Sequence, residues 1–383
     1  MDNLYDRNLF GLFLQYFEIN EIIELIKKDK YVLNFIIKNK WCVSNLEENT
    51  INWIKFGFKN IKKLDISCSY IQQIPKELIN LRKVNCCFTI IKIIPKKLIN
   101  LRKVTCCFSQ IKYIPKELVN LRELNCVNSE IKYIPKELIN LRVLNCFDTR
   151  IKEIPKELVN LIRLDCSSSQ IKYIPKELVN LRILNCFDTI IKEIPKKFVN
   201  LQYLNCSYTK IKKIPKELVN LKYLDFHNTI IKFIPKEFGK LEILNCSYTK
   251  IKVIPKELKN LQELNCQSTQ IKKISKELIN LKYLDCFDTE TEIIPKTLRN
   301  LQELYCGYTK IKEIPKELVS LNILYCSYTK IKKIPKELIN LRELHCKSTQ
   351  IKFILKELVN LKKINFKKIS KFKKDKEGNI LLN

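Results

Sequence analysis

The chain has little of what enzymes use to hold phosphates or to transfer protons. Its 383 residues include five glycines and two histidines, and there is no alanine. So few glycines leave no G-x-G-x-x-G or G-x-x-x-x-G-K loop, which binds phosphates through closely approaching backbone. No Ser-His-Asp or Cys-His set can be assembled around His227 and His345. The sequence therefore predicts no catalytic residues, no cofactor and no enzymatic activity.

Long apolar runs are missing as well. No stretch of 18 apolar residues occurs, so we expect no membrane span. The opening segment, MDNLYDRNLFGLFLQYF, has acids at Asp2 and Asp6 and no basic region before its apolar residues, so it does not look like a signal peptide. We therefore expect an intracellular protein that does not interact with membranes.

The chain is instead built on one motif that recurs every 20 residues. From Ile61 to Asn360 it divides into 15 units of the form L-x-x-L-x-C-x-x-[TS]-x-I-x-x-I-P-K-E-L-x-N, without an insertion. Positions are numbered 1 to 20, with position 1 at residues 61, 81, 101 and onward. Such a period indicates a solenoid, propeller or array, and a unit this short holds one strand and a compact return segment. Proline at position 15 predicts that this return is extended or a single turn.

The apolar spacing resembles the leucine-rich repeat, L-x-x-L-x-L-x-x-N-x-L-x-x-L-P, over residues 61–360. The resemblance implies an α/β solenoid with a curved parallel sheet on its concave face. Two departures are systematic: position 6 is Cys in 13 units, and position 9 is Ser or Thr in place of Asn. A hydroxyl reaches less far than an amide, so we expect a tighter loop after each strand.

The cysteines at position 6, from Cys86 to Cys346, are predicted to point inward and to stack on neighbouring strands. In-register parallel neighbours fit disulfide geometry poorly, and thiols in a line do not converge on a metal ion. We therefore expect reduced, buried thiols that pack as small apolar side chains, with no disulfide and no metal site.

Two segments flank the repeats. Residues 1–60 contain apolar stripes at helical spacing and are predicted to form a small helical cap over the end of the solenoid. The stretch LFGLFLQYFEINEIIELIKKDKYVLNFIIKNKW also loosely resembles an F-box, which would imply a substrate adaptor that binds a ubiquitin ligase through residues 1–60. Residues 361–383 are predicted to hold a final strand and a basic C-terminal cap or tail.

The composition suggests a source. Lysine, isoleucine and asparagine are abundant and alanine is absent, which is typical of an A/T-rich genome. With its cysteine-bearing repeat, the chain resembles putative leucine-rich repeat proteins of giant amoeba-infecting DNA viruses, which are mimivirus-like. That resemblance implies the host cytoplasm as its location.

The candidate partner site lies on the strands. Positions 3, 5 and 7, with 2 and 8 beside them, point away from the core and form what we call the strand face. Aromatic side chains on such a face are common anchors in protein recognition, although rings at position 7 could instead seal the sheet. The candidate partner-binding residues are Phe147, Asp148, Phe187, Asp188, Tyr203, Tyr223, Tyr283, Phe287, Asp288, Tyr305 and Tyr325.

Charge provides an alternative hypothesis. The formal net charge at pH 7 is +31, and the first coils place basic residues on the strand face: Lys62, Lys63, Arg82, Lys83, Arg102, Lys103 and Arg122. Without residues that read bases, binding to nucleic acid or another polyanion would be non-specific and steeply salt-dependent. The sequence thus predicts a non-enzymatic module that binds a protein on the concave face. An F-box-like adaptor and a polyanion binder are the alternatives.

Overall fold

A computed structural model describes residues 61–68, 73–366 and 373–381 of the chain. The chain divides into two compact units, Met1–Leu181 and Arg182–Asn383, called unit 1 and unit 2 below. The predicted helical cap and the F-box-like stretch at residues 1–60 lie outside the described residues.

Unit 1 is a stack of coils, each contributing one three-residue strand at positions 3 to 5. Neighbouring strands pair in parallel and in register, with Leu64 opposite Val84 and Leu144 opposite Leu164. The strands are β1 (Lys63–Asp65), β2 (Lys83–Asn85), β3 (Lys103–Thr105), β4 (Glu123–Asn125), β5 (Val143–Asn145) and β6 (Arg163–Asp165).

Unit 2 repeats this arrangement, with the same parallel pairing from coil to coil. Its coil strands are β7 (Ile183–Asn185), β8 (Tyr203–Asn205), β9 (Tyr223–Asp225), β10 (Ile243–Asn245), β11 (Glu263–Asn265), β12 (Tyr283–Asp285), β13 (Glu303–Tyr305), β14 (Ile323–Tyr325), β15 (Glu343–His345) and β17 (Lys363–Asn365). A small antiparallel sheet joins β16 (Phe353–Ile354) to β19 (Ile380–Leu381), which also pairs with β18 (Lys373–Lys374).

The core consists of the apolar rows that the repeat predicts. In one coil Leu121, Leu124, Cys126, Ile131 and Ile134 are each at most 4% exposed. The same positions are buried in the coils above and below, so each side chain packs against its equivalents as well as within its own coil. Stacking the coils therefore buries one continuous core within each unit, as predicted for a solenoid.

The return leg is made of turns. The amide of Leu98 donates to the carbonyl of Pro95 at 3.1 Å, and the amide of Leu101 donates to that of Leu98 at 3.0 Å. The described residues form strands and turns and contain no helix. The return leg is short, as predicted, but holds two turns where an extended segment or a single turn was expected. The helical part of the predicted α/β class is not supported in the described residues. Each return leg has twelve residues, positions 9 to 20, and these include a proline in most units, so the leg has room for two turns only. No helix in these ranges is long and apolar enough to cross a bilayer.

A turn follows the coil strands, and in most coils two side chains close it. At position 5, Asn or Asp accepts a hydrogen bond from the amide two residues on, as Asn185 does from Phe187 at 3.3 Å. At position 9, the hydroxyl donates to the carbonyl of position 6, and Thr189 meets that of Cys186 at 2.8 Å. The hydroxyl bond forms in 14 coils. It satisfies a carbonyl that would otherwise be buried without a partner, which explains Ser or Thr at this position.

The predicted cysteine ladder is confirmed. The position-6 thiols from Cys86 to Cys346 are 0% exposed, and none of them forms a disulfide. The thiol of Cys126 donates to the carbonyl of Asn145 on the next strand at 3.4 Å. Burial raises the pKa of Cys126 to about 12, so this thiol stays protonated at neutral pH. Since the thiolate is the reactive form, the ladder thiols are unreactive in the folded protein.

We predict that a thiol reagent modifies the native protein at few of its cysteines. Cys68 is exposed and Cys107 is partly exposed, whereas the position-6 thiols are buried. Mass spectrometry after brief labelling at pH 7.5 should find Cys68 modified and Cys126 unmodified, and both modified in denaturant. Rapid native labelling of Cys126 would contradict its assignment to the core.

We also predict that Cys206→Ser lowers the free energy of unfolding by about 1–3 kcal/mol, because it buries a hydroxyl in an apolar row. Cys206 is 0% exposed, and its amide already donates to the carbonyl of Asp225. Lys216→Ser on the exposed return leg is the control and should change stability by less than about 0.5 kcal/mol. Equal effects in urea titrations would show that the inward and outward positions are misassigned.

Candidate partner-binding face

The strand face arises from the alternation of a short β-strand. In β10, Leu244 is buried while Ile243 and Asn245 on either side are partly exposed. Because successive side chains of a strand point to opposite faces, residues at positions 3 and 5 share the outer side. Position 8 completes this face, and its residues from Cys68 to Ser348 all have left-handed backbone, with φ between 48° and 59°.

In unit 1 the candidate residues Phe147 and Asp148 lie at the end of one coil. Phe147 is 37% exposed, and its amide donates to Asn145 Oδ1 at 3.2 Å. Asp148 Oδ2 accepts a hydrogen bond from Asn128 Nδ2 of the preceding coil at 2.7 Å. This carboxylate therefore joins the ends of two coils within unit 1.

The first aromatic group in unit 2 surrounds Tyr208. Phe187 meets the Tyr208 ring edge-on at 5.4 Å, and His227 meets it from the next coil at 5.0 Å. Asp225 Oδ1 lies 2.7 Å from His227 Nδ1 and orients the imidazole. Asp188, beside Phe187, is exposed in the left-handed turn. Side chains from three successive coils thus form one aromatic patch.

Tyr203 and Tyr223 form a second feature in unit 2. Their rings stack at 4.2 Å with an interplanar angle of 8°. Both are partly exposed at position 3, where β8 and β9 pair in register. Burial, followed by the nearby carboxylate of Asp225, raises the pKa of Tyr223 well above its usual value, so its hydroxyl remains neutral.

The longest aromatic stack comprises Tyr283, Tyr305, Tyr325 and His345 on consecutive coils of unit 2. Centroid distances along it are 5.5, 4.6 and 3.7 Å. Burial, with Asp285 as the next contribution, raises the pKa of Tyr283 to about 12. Offset or parallel ring pairs at such distances contribute roughly 0.5–1.5 kcal/mol beyond the area they bury.

Glu343 fixes one end of this stack. Its carboxylate accepts hydrogen bonds from Lys363 Nζ at 2.7 Å and from the Tyr325 hydroxyl at 2.9 Å, and it also contacts His345 Nε2. Lys363, His345 and Tyr325, in that order of effect, lower the pKa of Glu343 to about 2. The carboxylate therefore keeps its charge throughout the physiological range and holds both rings in position.

The last three rings of the stack occupy position 5, where most coils have a turn-forming side chain. Eleven coils have Asn or Asp at position 5 and form the bond to the amide of position 7. Tyr305, Tyr325 and His345 replace that residue in consecutive coils. A phenol ring cannot fold back onto an amide two residues away as a carboxamide does. These coils have therefore given up a stabilising turn bond for aromatic surface.

The motif Phe287-Asp288 lies beside this stack. Phe287 packs against Tyr308 at 5.2 Å, and Tyr308 stacks on Tyr328 at 4.3 Å. A Cβ at Gly307 would come within 3.1 Å of the Phe287 ring and 3.0 Å of the Ser327 carbonyl, so glycine makes room for the ring. Asp288 Oδ2 accepts from the Ser268 hydroxyl at 2.9 Å.

Sequence reasoning omitted several residues of this face. Tyr208, Tyr248, Tyr308 and Tyr328, at position 8, are 40–53% exposed, and the two histidines each join an aromatic group. For the histidines the sequence does contain a signal. Each lies two residues after an acidic residue, and therefore on the same side of the chain as that carboxylate. Within the described ranges, no three His, Cys, Asp or Glu side chains are arranged to hold a metal ion.

Comparisons with known proteins support the fold through structure alone. No family model matches the chain, and no curated protein matches it. A leucine-rich repeat protein of Leptospira interrogans is 24% identical, with a TM-score of 0.68, over 79% of this chain and 94% of that one. The functional domain of InlJ from Listeria monocytogenes, described as including a cysteine ladder, is 20% identical, with a TM-score of 0.64, over 73% and 70%.

A plant protein shows the same likeness. The leucine-rich repeat ectodomain of the receptor kinase GASSHO1/SCHENGEN3 from Arabidopsis thaliana was solved in complex with CASPARIAN STRIP INTEGRITY FACTOR 2. It is 21% identical, with a TM-score of 0.54, and the match covers 86% of this chain and 55% of the ectodomain chain. At these identities the likeness establishes that the fold is that of leucine-rich repeat proteins.

We predict that Glu343→Gln reduces the acid sensitivity of the protein. A carboxylate whose pKa is lowered by folding stabilises the native state above its unfolded pKa, near 4.5, and loses that contribution as the pH falls towards about 2. Urea midpoints at pH 5 and pH 2.5 should therefore differ less in the variant than in the wild type. Glu313→Gln on the exposed return leg is the matched control. An unchanged pH dependence in Glu343→Gln would show that the cluster does not hold the carboxylate.

Proposed function

We propose that this chain, which has the leucine-rich repeat fold, is a protein-binding module whose partner contacts the aromatic strand face of unit 2. The observation that carries the proposal is the replacement of the turn-forming residue by Tyr305, Tyr325 and His345 in successive coils. Folding gains a turn bond from Asn or Asp at these positions, whereas a binding surface gains rigid aromatic area. Aromatic rings lose little conformational entropy on binding, since two torsion angles fix them.

The similar structures support this role in general terms. The plant ectodomain was solved in complex with CASPARIAN STRIP INTEGRITY FACTOR 2, and the InlJ segment is described as a functional domain. The rest of the proposed site comprises Tyr203, Tyr223 and Tyr283, together with the Phe-Asp pairs at 187–188 and 287–288. The pair Phe147-Asp148 of unit 1 remains a predicted contact.

The proposal assigns no enzymatic activity to the chain. The alternative function as a ubiquitin-ligase adaptor depends on residues 1–60. These lie outside the described residues, whose contacts do not test it. The proposed location is the host cytoplasm, on the basis of the resemblance to proteins of amoeba-infecting viruses. Amoeba cytosol is therefore the extract in which to search for the partner.

We predict that the double variant Tyr305→Asn, Tyr325→Asn loses its partner while keeping its fold. Asparagine is the commonest residue at position 5 and restores the turn bond, so the free energy of unfolding should be retained. Each lost aromatic anchor should weaken binding by about 2 kcal/mol or more, roughly thirtyfold in the dissociation constant. The measurement is capture from amoeba cytosol, followed by titration of the identified partner as a purified protein.

Tyr133→Asn with Tyr173→Asn is the matched control. These two tyrosines are 55% and 53% exposed on the return leg of unit 1, away from every strand. Binding should survive in this control. Full binding by the Tyr305/Tyr325 variant would reject the proposed face. Loss of the partner together with a lower urea midpoint would indicate a purely structural role for the rings.

A further inference from the structure

The strand face of unit 1 differs from that of unit 2 in charge. From Lys62 to Ser168 its positions 2, 3, 5, 7 and 8 hold nine basic and four acidic side chains. The same positions from Arg182 to Asn365 hold seven basic and eight acidic ones. A repeat that tolerates neutral or acidic residues at these positions in one unit has no folding requirement for basic ones in the other.

The basic side chains of unit 1 form two rows. Lys63, Lys83 and Lys103 occupy position 3 and lie opposite one another in register on β1, β2 and β3. Strands are about 4.8 Å apart, so three like charges lie side by side, an arrangement that destabilises a sheet. At the end of the row Lys103 Nζ lies 2.6 Å from Glu123.

The second row consists of arginines at position 2. The amide of Arg102 donates to the carbonyl of Arg82 at 2.8 Å, and that of Arg122 donates to Arg102 at 2.9 Å. The backbone thus fixes the spacing of the row while the three side chains remain exposed. Guanidinium groups in a regular line can each bind a phosphate with two hydrogen bonds.

A pair of exposed rings ends the same coils. Phe88 and Phe108 stack at 4.8 Å with an interplanar angle of 6° and are 58% and 48% exposed. Both have left-handed backbone, with φ of 56° and 52°, which is unusual for a bulky residue and energetically unfavourable. Their neighbours in the position-8 row are Cys68 and Asn128, whose side chains are shorter.

We infer that the strand face of unit 1 binds single-stranded nucleic acid, with the lysine and arginine rows on its phosphates and Phe88 and Phe108 stacked on bases. A positively charged track combined with aromatic platforms is how proteins bind single strands without reading their sequence. An acidic protein segment would explain the basic rows but would not require a flat, parallel pair of exposed rings. The inference does not rest on the proposed function of unit 2.

The test uses the full chain and a fluorescently labelled thymidine oligonucleotide, followed by anisotropy over a range of salt. Binding should weaken steeply with salt, and an unlabelled single strand should compete better than a duplex of equal length. Each single-strand phosphate contact contributes about 0.7 to the slope of log K against log salt. Lys63→Ala, Lys83→Ala and Arg102→Ala together should therefore reduce that slope by about 2.

The ring pair gives an independent readout. Phe88→Ala with Phe108→Ala should weaken binding about tenfold or more and leave the salt slope unchanged, because stacking releases no counterions. The charge control removes Lys136, Lys156 and Lys176, exposed on the return leg, by substitution with Ala. It should retain the slope of the wild type.

Three results would overturn the inference. The first is a folded wild-type protein that does not bind the oligonucleotide at low salt. The second is an equal loss of slope in both triple variants, which would indicate diffuse attraction by the net charge. The third is competition by polyglutamate as strong as that by the single strand, together with full binding by the phenylalanine variant. That result would identify an acidic protein as the ligand.

Discussion

The constant length of the coil is the constraint on which the rest of the structure depends. Because every unit has 20 residues, the backbone of one coil meets the next at a fixed offset. The amide of Cys126 donates to the carbonyl of Asn145, and that of Cys206 donates to Asp225 in the same way. An insertion within one coil would have to bulge out of the stack for the rows to stay in register. No such insertion occurs between Ile61 and Asn360, so the same positions meet in every coil.

Fixed register turns each position of the repeat into a row of similar side chains. Inward rows gain from this arrangement, since Leu, Ile and Cys pack against copies of themselves. In outward rows the effect depends on the residue type. Aromatic side chains on neighbouring coils stack, as Tyr203 and Tyr223 do. Lysines on neighbouring coils repel each other, as Lys63 and Lys83 do. The outward rows of the two units therefore differ in charge and aromatic content, although both units are built from the same type of coil.

Much of the fold could be predicted from the sequence because the same residue pattern occurs in each of the 15 units. The buried rows, the thiols of the ladder and the compact turn at position 9 could all be predicted from spacing and residue type. The rings at position 8 could not, since a left-handed backbone is signalled by glycine or asparagine, and Tyr308 or Tyr328 gives no such signal. The role of Gly307 depends on the orientation of the Phe287 ring, which only the three-dimensional packing defines. The histidines lie in separate coils, and each joins its own aromatic neighbours.

The turn after each strand closes through side-chain bonds that lie within a single coil. Other polar side chains do bond from one coil to the next, as Asn128 does to Asp148 and Asn100 to the carbonyl of Ile79, but they are separate from these closing bonds. Here the coils of Tyr305 and Tyr325 lack the Asn or Asp bond, yet the hydroxyls of Thr309 and Thr329 still reach the carbonyls of Cys306 and Cys326. A change at position 5 therefore removes only the closing bond of its own coil and leaves the hydroxyl bond in place. The outer surface can thus diversify one coil at a time.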